Sequence, residues 1–315
     1  MDYLFALQNL REETLTVLPV ILAIVSELVA YVGPVLPVVL FFCIDKKLGS
    51  KVMFVFTGAD TIGNVIKLGA CVKRPWLRDE RLFPSKAVEG TSSGYSFPSA
   101  HTCAATSIYG SIAQWLKKKI ATIICIFMIL LTAFARNFLG MHTLEDVLAA
   151  IALTVLIGFA AQFVFKDLEK HPERDVIVLV AGLALCIAGC LYIGLKSYPL
   201  DLMDDGTYLY VKMQKDGFAS LGMMIAWLIC WFVEKRYINF NIEGTVKERA
   251  VRGIIAAAIF CLFFFVVTKL AFLKADPRVY YFFKRFISVL MTCGVYPYFI
   301  KRHQDKNQNK KVMAQ

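Results

Sequence analysis

Apolar residues occur along this chain in long blocks that are separated by short charged connections. Each block runs for about 15–22 residues with few charges, which is the length that an α-helix needs to cross ~30 Å of hydrocarbon. The blocks predict about nine membrane-spanning helices, at roughly residues 24–44, 51–71, 98–116, 120–139, 144–165, 175–195, 217–233, 253–273 and 283–300. We therefore expect an all-α fold, a polytopic membrane helix bundle.

The N-terminal apolar stretch has no lysine or arginine from residue 14 to residue 44. It is too long for one span and too short for two. We expect residues 1–23 to form an interfacial segment that is followed by one span, kinked near Gly33-Pro34. No cleavable signal peptide is expected, because the first residues lack a basic start and a small-residue cleavage site.

Composition supports a membrane protein and constrains its orientation. The chain is 58% hydrophobic, above the usual 45–50% of soluble domains, and its net charge is +11. One set of alternate connections carries 19 lysines and arginines and the other carries 16, of which seven lie at or near three polar motifs. The positive-inside rule then places the C-terminus in the cytoplasm and the N-terminus outside. Basic and aromatic residues do not alternate outside the spans, so no nucleic-acid partner is expected.

The three polar motifs lie at ends of predicted spans: KLGACVKRP at 67–75, YSFPSAHT at 95–102 and ARNFLGMHTLED at 135–146. Odd-even counting of the spans places all of these ends on the same side of the membrane. Residues that are distant in sequence are therefore expected to converge on one surface. The nine cysteines lie in or beside apolar blocks, where they are expected to act as small hydrophobic residues.

The first motif offers two cations. Lys67 and Arg74 are seven residues apart, so one continuous helix would place them on nearly the same face. Pro75 is expected to end that helix and to hold Arg74 out of the α region. An arginine fork beside a lysine charge suits a phosphate. Asp60 and Asn64 extend the same face into the bilayer and are expected to support the site; interfacial snorkelling and polar packing are the alternatives.

The second motif predicts an anion site at the start of a helix. Pro98 suits the first helical position, where its missing N–H has no consequence. The N–H groups of Ser99, Ala100 and His101 would then have no helical acceptor and could bind an anion. The Ser99 hydroxyl adds a donor, and His101 could transfer a proton. An ordinary capped loop-to-helix junction is the alternative.

The third motif combines a helix end, a helix start and a histidine. Gly140 is expected to stop one helix, and the stretch from Thr143 to Asp146 reads as a capping box for the next. Asp146 could therefore serve only as a cap. Alternatively, it accepts a hydrogen bond from His142, which fixes the tautomer and leaves the other ring nitrogen free as a nucleophile. Arg136 would neutralise phosphate charge.

Together the motifs resemble the type-2 phosphatidic-acid phosphatase and vanadium haloperoxidase superfamily, in its membrane-bound phosphatase branch. The family pattern is K-x6-RP, then PSGH, then SR-x5-H-x3-D. This chain reads Lys67-x6-Arg74-Pro75, then Pro98-Ser99-Ala100-His101, then Ala135-Arg136-x5-His142-x3-Asp146. Ala100 replaces the family glycine and Ala135 replaces a serine, and neither change removes a charged or catalytic group.

The resemblance implies a domain layout. After the interfacial segment 1–23, residues 24–166 would form a six-helix-type phosphatase core that holds the three motifs. Residues 167–300 would add further transmembrane helices, and residues 301–315 would form a basic cytoplasmic tail.

The resemblance also implies a two-step reaction. His142 would attack phosphorus and form a phosphohistidine, Asp146 would orient His142, and His101 would protonate the leaving group and then activate water. The phosphate oxygens would be held by Lys67, Arg74, Ser99, Ala100 and Arg136. No metal and no cofactor are implied, and the sequence has no acidic cluster suited to Mg²⁺.

The resemblance thus predicts a metal-independent membrane phosphatase for a lipid phosphate or diphosphate, such as a polyprenyl diphosphate or a phosphatidic-acid-like lipid. The cytoplasmic assignment of the basic connections places its site on the extracytoplasmic side, and we expect the membrane to be the plasma (inner) membrane. The expected partners are the lipid substrate and membrane lipids, and the sequence gives no indication of the oligomeric state. A phosphatase for a soluble ester such as a sugar phosphate is a second hypothesis, because the span layout resembles glucose-6-phosphatase. A non-catalytic transporter or scaffold is a third, against which the intact His101, His142 and Asp146 argue.

Overall fold

The computed structural model describes residues 2–13, 17–88, 94–203, 206–267, 269 and 276–313. Helical residues make up 83% of the structure, and the described residues contain no β-strand. The predicted all-α class is therefore confirmed. In chain order the helices are α1 (Asp2–Glu13), α2 (Val17–Val32), α3 (Leu36–Cys43), α4 (Lys46–Ala70), α5 (Pro75–Arg78), α6 (Ala100–Leu116), α7 (Lys119–Phe138), α8 (Leu144–Lys170), α9 (Asp175–Leu195), α10 (Leu209–Val233), α11 (Val246–Leu262), α12 (Pro277–Val289) and α13 (Tyr296–Met313).

Within the described residues, five helical segments are long and apolar enough to cross a membrane, or six if the bent pair α1 and α2 is one span. They are Lys119–Phe138, Leu144–Lys170, Pro172–Leu195, Leu209–Ile238 and Val246–Val266. The predicted span 24–44 is divided between α2 and α3, which confirms a break near Gly33-Pro34. The count of nine spans stays a prediction, because α4 is rich in charge and α6 has only 17 residues.

The chain forms two compact units. The first comprises Met1–Pro34, Val55–Phe163 and Tyr192–Gly217, and the second comprises Val35–Phe54, Val164–Leu191 and Phe218–Gln315. All residues of the three motifs lie in the first unit.

Small side chains bring the helices of the first unit together. Ala59 of α4, Cys103 of α6 and Ala150 of α8 form one buried cluster, as expected where short side chains let helix backbones approach closely. A second cluster joins α2 to the C-terminal end of α7, through Leu22, Ala23, Val88, Ala135, Phe138, Leu139 and Met141. These contacts position α4, α6, α7 and α8, at or beside whose ends the motif residues lie.

The second unit is held by aromatic packing and buried ion pairs. Phe41 packs edge-on against Trp227, which is 1% exposed. Lys46 donates to Glu234 at 2.5 Å, and Arg236 pairs with buried Asp175 at 2.6 Å. All nine cysteines of the chain are free thiols, in agreement with their predicted role as small hydrophobic residues.

Candidate active site

The two cations of the first motif lie on different backbone elements. α4 ends at Ala70, and Cys71 takes a left-handed φ of 51°. The prediction that Lys67 and Arg74 share a face of one continuous helix is therefore wrong. The predicted conformation of Arg74 is confirmed, with φ −63° and ψ 155°. Pro75 is the first residue of α5, where its missing N–H has no consequence. Because α4 already ends at Ala70, the prediction that Pro75 ends this helix is wrong.

Lys196 explains why α4 stops where it does. Its ammonium donates to the carbonyl oxygens of Leu68 at 2.7 Å and Gly69 at 2.6 Å. The last carbonyls of a helix have no partner inside the helix, and a lysine can satisfy them. Lys196 therefore stabilises the helix end beside Lys67, a contact that no local motif indicates.

Lys67 supports the second motif directly. Its ammonium is buried and donates to the carbonyl oxygens of Tyr95 at 3.2 Å, Ser96 at 3.2 Å and Pro98 at 2.8 Å. Since an ammonium has three donors, all of them are directed at this segment. Lys67 therefore holds the backbone that leads into α6.

The start of α6 differs from the prediction by two residues. Ser99 is the N-cap, its hydroxyl accepts from the N–H of Thr102, and the helix begins at Ala100. Pro98 thus precedes the cap and does not occupy the first helical position. The Ser99 N–H donates to the carbonyl of Asp146 at 3.0 Å, so the prediction that this N–H lacks an acceptor is also wrong. That bond ties the start of α6 to α8.

Asp146 is both a helix cap and the partner of His142. Its Oδ2 accepts from the Thr143 N–H at 2.8 Å and lies 3.3 Å from His142 Nδ1. The hydroxyl of Ser96 donates to the same oxygen. Both His142 and Asp146 are 1% exposed. The two interpretations of Asp146 from the sequence therefore describe one buried arrangement.

The opposite nitrogen of His142 faces a cation. His142 Nε2 lies 2.9 Å from Arg74 Nη1, which also donates to the carbonyl of Met141 at 2.8 Å. Burial, and then the positive charges of Arg74 and Arg136, place the pKa of His142 well below its ordinary value. A neutral imidazole has a lone pair on one nitrogen, as a nucleophile requires.

Arg136 and His101 meet at a carboxylate that the sequence analysis did not select. Arg136 Nη1 donates to Glu27 Oε1 at 2.8 Å, and His101 Nε2 lies 3.2 Å from Glu27 Oε2. Glu27 is the single charged residue in the α2 sequence VLPVILAIVSELVAYV. A charge within an apolar span is the signal that could have identified it. Ser96, which donates to Asp146, was also not selected, and no feature of the surrounding sequence indicates this role.

The remaining predicted residues lie close by. Asn64 donates to the Asp60 carboxylate at 3.0 Å, and both residues line a cavity of about 10 Å³ with Lys67 and Ala100. Ala135 is fully buried in the apolar cluster between α2 and α7. The structure thus brings residues of all three motifs together in one largely buried, positively charged site in the first unit.

Comparison with protein families agrees with this geometry. The profile of the PAP2 superfamily matches residues 49–169, which include every motif residue. A second profile, described as the transmembrane extension of PAP2 superfamily phosphatases, matches residues 218–307. No solved structure matches the chain with significance.

Two curated proteins of Bacillus subtilis (strain 168) are similar to parts of the chain. Phosphatidylglycerophosphatase B is 29% identical over 112 residues, which is 33% of this chain and 54% of that protein. Undecaprenyl-diphosphatase BcrC is 41% identical over 86 residues, which is 27% of this chain and 42% of that protein. The chain spans about half the length of the curated relatives that it matches.

Proposed function

The chain belongs to the PAP2 superfamily, and from this premise we propose that it is a membrane phosphatase that hydrolyses a lipid phosphate or diphosphate through a phosphohistidine on His142. The observation that carries the proposal is a buried chain of contacts, in which Asp146 lies against His142 Nδ1 and Arg74 lies against His142 Nε2. A carboxylate at one ring nitrogen and a phosphate-binding cation at the other suit an attack on phosphorus. A protein that only bound phosphate would need the cations alone.

The reaction has two balanced steps. In the first, His142 Nε2 attacks phosphorus, the bond from phosphorus to the leaving oxygen breaks, and that oxygen takes a proton from His101. Asp146 stabilises the positive charge that develops on His142. In the second, His101 takes a proton from a water molecule that attacks the phosphohistidine, which releases phosphate and restores the neutral His142.

The phosphate oxygens would be held at the starts of α5 and α6 and at the end of α7. Arg74 and Arg136 supply guanidinium donors, Ser99 a hydroxyl and Ala100 a first-turn N–H with no helical carbonyl to bond. In this structure Arg74 contacts His142 and Arg136 contacts Glu27, so substrate oxygens would replace these protein contacts. Lys67 contributes its charge from behind the 95–98 segment.

The names of the two relatives favour a lipid substrate. One is named as a phosphatidylglycerophosphatase and the other as an undecaprenyl-diphosphatase. We infer a polyprenyl diphosphate or a phosphatidic-acid-like monophosphate as the substrate, with its phosphate in the site and its tail in hydrocarbon. Metal independence is part of the proposal, because histidine supplies the nucleophile and arginines supply the positive charge.

The test compares kcat/KM for a long-chain lipid phosphate and for glucose 6-phosphate, in one detergent with EDTA present. We expect at least about a tenfold preference for the lipid, since burying only two methylene groups stabilises a complex by about 1.6 kcal/mol. A preference for the sugar phosphate would favour the soluble-substrate hypothesis instead. Activity that is lost in EDTA and restored by Mg²⁺ would contradict metal independence. Vanadate binding without turnover of either substrate would indicate a transporter or scaffold.

We propose that the site opens on the extracytoplasmic side of the plasma membrane, from the distribution of basic residues in the connections. Ala87 lies on the loop before the second motif and Asn307 lies on α13, and both are exposed. In a background without other cysteines, the Ala87→Cys variant should react with an impermeant maleimide in intact cells. The Asn307→Cys variant should react only after the cells are opened. The reverse pattern would invert the orientation.

A further inference from the structure

Glu27 lies outside the three motifs and before the region that the PAP2 profile matches, yet it touches two proposed site residues. Its two carboxylate oxygens are 2.8 Å from Arg136 Nη1 and 3.2 Å from His101 Nε2. The side chains are 16% exposed for Glu27, 14% for His101 and 0% for Arg136. An ionisable group in an apolar span is expensive to bury and marks a functional position.

We propose that Glu27 is a positioning residue that acts through His101, which rests on the proposed function of the same site. Glu27 accepts the Nε2–H of His101 and leaves Nδ1 as the ring nitrogen that gives its proton to the leaving oxygen. Asp146 pairs with His142 in the same way but through the other ring nitrogen. The Asp146 carboxylate lies at Nδ1 of His142, which leaves Nε2 to attack phosphorus. The site thus contains two pairs of a carboxylate and an imidazole, one for the nucleophile and one for the proton donor.

The charge of Glu27 is what His101 needs to carry a proton. Two guanidinium groups of the site oppose a positive charge on His101: Arg136 contacts the same carboxylate, and Arg74 contacts His142. A carboxylate in contact with the ring offsets that repulsion. Glutamine at position 27 would fill the same space but would leave the two guanidinium charges uncompensated.

The proton balance assigns a constant state to Glu27. In the first step the leaving oxygen takes the Nδ1 proton of His101 as the bond from phosphorus to His142 Nε2 forms. His101 is then neutral, and its Nε2–H still donates a hydrogen bond to the Glu27 carboxylate. In the second step Nδ1 takes a proton from the attacking water, and Glu27 remains a carboxylate throughout.

The second contact of Glu27 separates catalysis from binding. Arg136 is one of the groups that would bind a phosphate oxygen, so the substrate competes with Glu27 Oε1 for the guanidinium of Arg136. Removing the charge of Glu27 should therefore leave anion binding as tight as before, or tighter. A purely structural role would instead weaken every function of the site.

The experiment uses the Glu27→Gln variant of the full-length protein and two substrates, dodecyl phosphate and p-nitrophenyl phosphate. The value of kcat/KM reports phosphoryl transfer to His142, before the hydrolysis step that both substrates share. Alkoxide is a poor leaving group and needs the proton, whereas p-nitrophenolate leaves without it. We expect kcat/KM to fall about 10²-fold for dodecyl phosphate and less than about threefold for p-nitrophenyl phosphate.

Three further measurements decide the interpretation. The Glu145→Gln control makes the same charge change on an exposed residue of α8, and it should leave both substrates unaffected. In a His101→Ala background, Glu27→Gln should cause no further loss, because both changes act on one proton. Vanadate should inhibit Glu27→Gln at least as strongly as the wild-type protein.

Other results would overturn the inference. Equal losses on both substrates together with weaker vanadate inhibition would show that Glu27 only supports the structure. Wild-type kcat/KM for dodecyl phosphate in Glu27→Gln, or losses that multiply in the His101→Ala background, would show that it does not act through His101. If the wild-type protein hydrolyses neither substrate, the proposed function itself fails, and this outcome is distinct from the others.

Discussion

Replacing His142 with alanine is expected to reduce hydrolysis of a lipid phosphate by about 10⁴-fold, because it removes the atom that we propose forms the covalent intermediate. The measurement is kcat/KM in detergent, together with transfer of ³²P from labelled substrate to the protein after an alkaline quench. The wild-type protein should retain label on His142, and the His142→Ala variant should retain none.

His171 offers a matched control for this variant. It is a half-exposed histidine after α8 with no contact to the motif residues among the described ones, so His171→Ala should keep wild-type kcat/KM. Wild-type turnover in His142→Ala, or label on a different residue of the wild-type protein, would mean that another group is the nucleophile.

Replacing Asp146 with asparagine is expected to lower kcat by about 10³-fold while the fold persists, since the partner of the proposed catalytic imidazole loses its charge. Asparagine still offers an oxygen to the Thr143 N–H and can cap α8. It cannot stabilise an imidazolium on His142, and its amide can hold the ring in the wrong tautomer. The measurements are kcat and the thermal midpoint of unfolding in detergent.

This substitution separates the two roles that the structure combines in Asp146. If Asp146 served only as a cap, Asp146→Asn would retain nearly full activity. Glu145→Gln removes the same charge one residue earlier on an exposed position, and it should retain wild-type kcat. A fall in kcat for both variants would indicate a general electrostatic effect.

Much of the site could be predicted from the sequence because its residues occupy helix ends. Apolar block lengths locate those ends within a few residues, and odd-even counting puts them on one side. Local chemistry gives the all-α class and two details of the backbone. These are the position of Gly140 at a helix end and the extended conformation of Arg74 before Pro75. These features depend only on neighbouring residues and on the thickness of a bilayer.

The errors arose where a distant residue decides the local structure. Lys196 caps α4 before Arg74, so the seven-residue spacing to Lys67 does not describe one helix face. The carbonyl of Asp146 takes the Ser99 N–H, so this donor is not part of an open anion site. Neither partner belongs to the motif that it modifies, and periodicity within a motif cannot reveal it.

The sequence alone therefore predicted the helix bundle, the three motifs and their convergence, since spacing and hydrophobicity act along the chain. Only the tertiary structure showed which donors meet which acceptors: Lys67 with three carbonyls, Arg74 with His142, and Glu27 with both His101 and Arg136. The physical reason is that buried charges must find partners wherever the packing of helices places them. Glu27 is a single charge in an apolar helix, and its partners come from α6 and α7, more than 70 residues away in sequence.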